Sequence, residues 1–269
     1  MQQAIAVLDS GVGGLTVIKE VMRQLPQEKV IYFGDTARSP YGPRPAEEVR
    51  AFTMQIVDYL IQYDPKMIVI ACNTATAAAI KEIRTHVSIP VIGVISPGVR
   101  AAIKSTRSGV VGVIGTEGTI RSRAYEQALM SISPSIQVFS EPCPLLAPLV
   151  EKGLFGEDRT QSVVEQSLRK LIGKPIDCLI LGCTHYPFLA KEISRVMGPH
   201  VAIISSADET AREISTILSD RGMLATSGQL PIHQFFCSGE PELFKQIAKD
   251  WLKEQMFIVP VVWQVPRII

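Results

Sequence analysis

Two short stretches of the chain each end an apolar run in a thiol flanked by hydrogen-bonding side chains. In "MIVIACNTATAAAI" the run closes on Cys72-Asn73-Thr74, and in "CLILGCTHYPFLAKEI" it closes on Cys183-Thr184-His185. A β-branched run followed by a helical period is a strand feeding a helix. Each cysteine is therefore expected at a strand-to-helix junction, where unpaired N–H groups and the positive end of the helix dipole favour a thiolate. A free cysteine is more often a small buried hydrophobe. That is the reading for Cys178, in mid-strand, and for Cys143 and Cys237. For Cys72 and Cys183 the matched positions favour chemistry. His185, two residues beyond Cys183, is close enough to exchange a proton with it.

A hydrolase or transferase built on cysteine needs one nucleophile, a base and an oxyanion hole. Two opposed thiols instead suit inversion at a carbon: one face of the substrate gives a proton to a thiolate while the other receives one from a thiol. The chain contains no CxxC pair, HExxH, P-loop or lysine-centred pyridoxal-phosphate motif, so neither a metal nor a cofactor is expected. "LDSGVGGLT" resembles a dinucleotide fingerprint, but the third glycine of G-x-G-x-x-G would fall at Thr16 and the pattern fails. What remains is Asp9 and Ser10 at a strand end. The glycines that follow either offer N–H groups to an anion or form a tight turn. "DTARSPYGPRP" is stiffened by its prolines and reads equally as a cleft wall or a surface loop. Glu151, in "LLAPLVEKG", reads from its neighbours as an ordinary exposed helix residue.

The elements that must position these groups form a regular series. Nine short apolar runs ("IAVLDS", "KVIYFGD", "MIVIAC", "VIGVIS", "VVGVIGT", "IQVFSE", "CLILGC", "VAIISS", "IHQFFCS") alternate with helix-period segments. Such runs fit strands buried on both faces of a parallel α/β sheet. The helices are amphipathic; in "AEEVRAFTMQIVDYL", Val49, Phe52, Ile56 and Leu60 share one stripe. The chain also repeats itself weakly. "IAVLDSGVGGLTVIKEV" lies over "VGVIGTEGTIRSRAYEQAL", "KVIYFGDT" over "IQVFSEPC", and the first thiol motif over the second. Asp9 precedes Cys72 by 63 residues and Gly115 precedes Cys183 by 68. Two related α/β halves follow, each with one thiol at the carboxyl end of a strand, where such sheets place their sites. Facing each other, they would bring both thiols to one cleft.

The bulk properties exclude other classes. The 269 residues carry a formal net charge of +1 with no basic run, which argues against nucleic acid. No export leader is evident and the apolar runs are too short to span a membrane, so a soluble cytoplasmic protein is expected. The apolar tail "FIVPVVWQV" is expected to be a terminal strand or an interface element.

"LDSGVGG", "SPYG", "ACNTA", "EPCPLL" and "LGCTHYP", in this order and spacing, resemble the cofactor-independent aspartate/glutamate racemase family, and within it the bacterial glutamate racemases. The resemblance runs from Ala4 to about Gly239. It implies interconversion of L- and D-glutamate for peptidoglycan synthesis without pyridoxal phosphate or metal, in a homodimer. It also implies two domains related by a pseudo-two-fold axis, with the site between them. Residues 1–97 plus 207–269 would form one domain and 98–206 the other, with Pro97-Gly98 as the exit from a strand and "SADETAREI" as the re-entry. Carried over by resemblance, Cys72 acts on the D-enantiomer with help from Asp9, and Cys183 on the L-enantiomer with help from His185. Glu151 falls at a further catalytic position. Asp9, Ser10, Tyr41, Gly42, Asn73, Thr74, Thr116, Thr119, Thr184 and His185 match substrate contacts. Two alternatives stand beside this reading. One is a racemase of the same superfamily acting on aspartate or another acid; the other is a two-domain ligand-binding protein.

Overall fold

The computed structural model describes residues 3–154, 158–226 and 231–252. The first sheet takes strands β1 (Ile5–Asp9), β2 (Val30–Gly34), β3 (Met67–Ile70), β4 (Val91–Gly93) and, from the end of the chain, β9 (Gln234–Cys237), in the order β4-β3-β1-β2-β9. The second takes β5 (Val110–Gly115), β6 (Gln137–Pro142), β7 (Cys178–Gly182) and β8 (Ala202–Ile204), in the order β6-β5-β7-β8. Every pairing is parallel. All nine apolar runs are strands. Laying β1 on β5, β2 on β6, β3 on β7 and β4 on β8 superposes the strand orders, with β9 added outside β2. The weak internal repeat is therefore a repeat of topology.

Between the strands run α1 (Leu15–Gln24), α2 (Ala46–Ile61), α3 (Asn73–His86) and α4 (Ile95–Ser105) in the first half. The second half carries α5 (Glu117–Arg121), α6 (Ala124–Ile132), α7 (Leu146–Glu151), α8 (Asp158–Leu168) and α9 (Ala190–Met197), followed by α10 (Ser206–Asp220) and α11 (Pro241–Leu252). Both faces of β1 are buried: Ile5 and Val7 join one apolar cluster, Ala6 and Leu8 another. This explains why the strands read as continuous apolar runs rather than alternating ones. Each fully buried aliphatic side chain contributes about 1.5–3 kcal/mol relative to exposure. The first cluster is continuous from Ile5 and Val7 in one half to Leu179 and Leu181 in the other. In α2 the buried stripe is Val49, Thr53, Ile56, Val57 and Leu60. Phe52, placed on that stripe by its spacing, is instead half-buried, with the guanidinium of Arg38 over its ring at 4.2 Å.

The chain leaves the first sheet differently from the sequence expectation. Pro97 and Gly98 lie within the first turn of α4, not at the exit of a strand. Proline is tolerated there because first-turn N–H groups have no partner inside the helix. The return begins with α10, whose N-cap Ser205 accepts a hydrogen bond from Ala207 N–H, and α10 packs against both α1 and α4. Residues 253–269, which include the apolar tail, lie outside the described residues. Among the described residues no helix is long and apolar enough to cross a membrane.

Candidate active site

Cys72 follows β3 and caps α3. Ala75 N–H donates to its sulfur at 3.4 Å, and the thiol donates to Ser10 Oγ at 3.6 Å. The helix terminus expected to favour the thiolate is present but outweighed. Burial pushes the Cys72 thiol up to about 12, the Asp9 carboxylate adds to this, and the bonds from Ala75 and Ser10 recover only part. Loss of water around a charge outweighs one helix end. In this closed arrangement Cys72 is a neutral thiol, a proton donor.

Cys183 also stands at a strand end, after β7, but no α-helix begins there. The turn Thr184-His185 leads into a 3-10 turn, Tyr186–Leu189, containing Pro187, and only then into α9. The imidazole takes the place of the helix end. His185 Nδ1 lies 3.5 Å from Cys183 Sγ, and Nε2 lies 2.5 Å from Glu151 Oε1. Burial alone would lower the His185 pKa, but Glu151 and Cys183 together outweigh it and hold the ring well above its ordinary value. A protonated His185 donates to both partners at once. The two thiols share one environment, since charge on Cys183 raises Cys72.

Asp9, at the end of β1, is fully buried and ties the two halves together. Gly11 N–H donates to Oδ1 at 3.0 Å and the Thr184 hydroxyl to Oδ2 at 2.9 Å. Burial raises its pKa to about 6, with the charge of His185 and these two bonds opposing. Glu151 crosses in the other direction. Its Oε1 accepts from Val12 N–H at 3.2 Å and from Ser39 Oγ at 3.4 Å. A second junction is a triangle of hydroxyls: Thr74 lies 2.8 Å from Thr116 and 3.2 Å from Thr119, which are themselves 3.0 Å apart. Beside it, Gly118 N–H donates to Gly42 O at 2.8 Å. Cys72 and Cys183 are each only 5% exposed.

The Asp/Glu/hydantoin racemase family profile matches residues 7–214, which runs from within β1 into α10 and takes in every side chain just described. The chain belongs to this family. It is similar to a curated glutamate racemase from Oceanobacillus iheyensis, 54% identical over 258 residues, spanning 96% of this chain and 94% of the relative. Among solved structures it resembles glutamate racemase isoform RacE1 from Bacillus anthracis, with a TM-score of 0.91 and 50% identity over 95% of this chain and 96% of that one. It also resembles the Francisella tularensis glutamate racemase in complex with D-glutamate, with a TM-score of 0.88 and 34% identity over 96% of each chain.

In this racemase-family fold, most of the site residues named from sequence converge, with three differences. Glu151, read from its neighbours as an exposed helix residue, is the last residue of α7 and bridges His185 to the first half. Tyr41 is buried, but its hydroxyl donates to Asp35, so the O–H donor expected of it is already committed. The glycines of "DSGVGG" chiefly make room. A Cβ on Gly11 would stand 1.9 Å from Glu151 Oε1, and one on Gly13 would stand 2.4 Å from Thr184 Oγ1. The turn after β1 is therefore stripped of side chains where the second half presses against it.

Two features were not found by sequence reasoning. Asn73 Oδ1 accepts from the Tyr125 hydroxyl at 2.6 Å, while Asn73 Nδ2 is buried and has no hydrogen-bond partner among the described residues. An unsatisfied buried amide costs about 1–3 kcal/mol, and such groups in native folds are commonly explained by function. Tyr125 sits in an unremarkable amphipathic segment, and no local signal marks it. The remaining cysteines, Cys143, Cys178 and Cys237, are buried and free, as read. Among the described residues no group of three or more His, Cys, Asp or Glu is arranged to hold a metal ion.

Proposed function

We propose that this protein is a glutamate racemase that inverts the α-carbon between Cys72 and Cys183. One observation carries the reading: two thiols at topologically equivalent strand ends share one buried site, where the Cys72 thiol donates to Ser10 Oγ and Cys183 lies against the His185 imidazole. In the L-to-D direction, the Cys183 thiolate, stabilised by a hydrogen bond from Nδ1–H of the His185 imidazolium that Glu151 steadies, takes the α-proton and becomes the thiol, while the imidazolium keeps its own proton. The neutral Cys72 thiol then gives its proton to the opposite face of the carbanion, and D-glutamate forms. The D-to-L direction runs through the same atoms in reverse. The substrate ammonium, accepted by Asp9, brings positive charge beside Cys72 and opposes the burial that holds this thiol neutral.

A carbanion formed without an electron sink must be held by oriented donors in a water-poor site. Candidates are Asn73 Nδ2, the hydroxyls of Ser10, Thr74, Thr116, Thr119 and Thr184, and backbone N–H groups near Gly42. The proposed domains are residues 1–97 with 207–269, and 98–206; the two separate sheets and the helices that pass between them support this division. The setting proposed is the cytoplasm, where D-glutamate is supplied to peptidoglycan, with the protein acting as a homodimer and without cofactor or metal.

The test is a circular-dichroism progress curve with purified protein. Either glutamate enantiomer should decay to zero ellipticity, whereas L-aspartate should hold its signal. A flat trace with both glutamate enantiomers rules the reading out, and faster decay with aspartate would reassign the substrate.

A further inference from the structure

Asn73 opens α3 in the first half, and its side-chain amide is fixed by a residue of the second. Tyr125, in α6, is 2% exposed, and its hydroxyl donates to Asn73 Oδ1 at 2.6 Å. This favours one orientation of the amide. Rotated by half a turn, Nδ2–H would donate to the phenol oxygen instead, the phenolic hydrogen would lose the acceptor it has here, and Oδ1 would occupy the unpartnered position. The ring is itself tightly held. A Cβ on Gly182, the residue before Cys183, would stand 3.1 Å from Tyr125 Cε2, and one on Gly98 of α4 would stand 3.3 Å from the phenol oxygen. That same Gly98 position faces Ser206 of α10 at 3.2 Å. Tyr125 thus sits where the two helices that lead between the sheets come together, with its hydroxyl reaching across to Asn73.

We propose that Tyr125 is a positioning residue: it holds the Asn73 amide with Nδ2 toward the substrate, and it does so only when the two halves are closed around it. The proposal rests on the racemase reading and extends it to a residue that touches no reacting atom. Closure then does two things together, excluding water and turning an N–H donor to the place where a substrate carboxylate must lie. Tyr125 acts through Asn73, so its contribution to catalysis disappears when Asn73 is gone.

The experiment is a double-mutant cycle on kcat/KM for L-glutamate with wild type, Tyr125→Phe, Asn73→Ala and the double variant. Tyr125→Phe removes one oxygen and should lower kcat/KM about tenfold, the scale of one lost hydrogen bond. In the Asn73→Ala background the same change should cost about twofold or less if the effect runs through the amide. If Asn73→Ala does not fold, Asn73→Ser replaces it as the second background. A full Tyr125 effect that persists without the amide would overturn the proposal, as would a Tyr125→Phe enzyme equal to wild type. Absence of turnover in the wild type would instead remove the racemase reading, so the two failures are distinct.

Discussion

His185 Nε2 lies 2.5 Å from Glu151 Oε1, and through this contact the second half of the molecule acts on Cys183 and grips the first half at once. The same carboxylate oxygen that holds the imidazole proton accepts Val12 N–H from the turn after β1. Protonation of His185 and closure of the halves are therefore linked through one atom.

Replacing Glu151 by Gln should show this link in the pH profile. The His185 pKa is raised because Glu151 and Cys183 outweigh burial, so without the carboxylate the ring loses its proton at lower pH. The alkaline limb of kcat/KM should move to lower pH, and by the same amount for L- and D-glutamate, because an equilibrium constant of one between enantiomers ties the two profiles together. A pH–rate profile of wild type and variant tests this. An alkaline limb that stays in place would show that Glu151 does not act through His185.

Asp9 should trade stability for function. Its folded pKa of about 6 lies above the ordinary carboxylate value of 3.8, so the native state holds a proton that the unfolded chain has lost between those two pH values. Stability therefore falls as pH rises through that window and stays lower above it, by on the order of 3 kcal/mol. Asp9→Asn should raise the thermal midpoint at pH 7.5, and that gain should vanish below about pH 4, while racemisation collapses. A variant less stable than wild type at pH 7.5 would contradict this account of the buried charge.

Gly13→Ala tests the stripped turn. Its new Cβ would lie 2.4 Å from Thr184 Oγ1 and 2.7 Å from His185 Nδ1, so the halves cannot close without displacing the groups that serve Asp9 and Cys183. A displacement near 1 Å at a reacting group costs about a hundredfold, so kcat should fall on that order with the far-ultraviolet spectrum unchanged. Wild-type kcat in this variant would show that the close approach is not needed for turnover.

The sheet architecture was legible in the sequence because strands buried on both faces leave unbroken apolar runs, and because the two halves repeat the same order. The placement of the thiols and His185 at strand ends was legible because each closes an unbroken apolar run. Local reading failed where function depends on contacts far apart in the chain. Glu151 looks exposed from its neighbours because the histidine that buries it is 34 residues away. Tyr125 carries no motif because its role depends on Asn73, 52 residues earlier. The thiolate expected at Cys72 failed for a different reason. A helix terminus can be read from sequence, whereas the desolvation that outweighs it belongs to the closed fold.

The central claim, that two thiols work on opposite faces of one carbon, is tested most directly by isotope exchange. Turnover of each glutamate enantiomer is begun in deuterated water and stopped early, and product and remaining substrate are separated and their α-hydrogen examined. If Cys183 takes the proton of L-glutamate and Cys72, already exchanged with solvent, supplies the other face, early product carries deuterium and recovered substrate is almost unlabelled. The reverse direction gives the same pattern with the thiols exchanged. Replacing either cysteine by alanine abolishes inversion from both sides, because one base and one acid are needed together. Product that retains the substrate's own hydrogen would mean a single group carries it between faces, and the two-thiol account would be wrong.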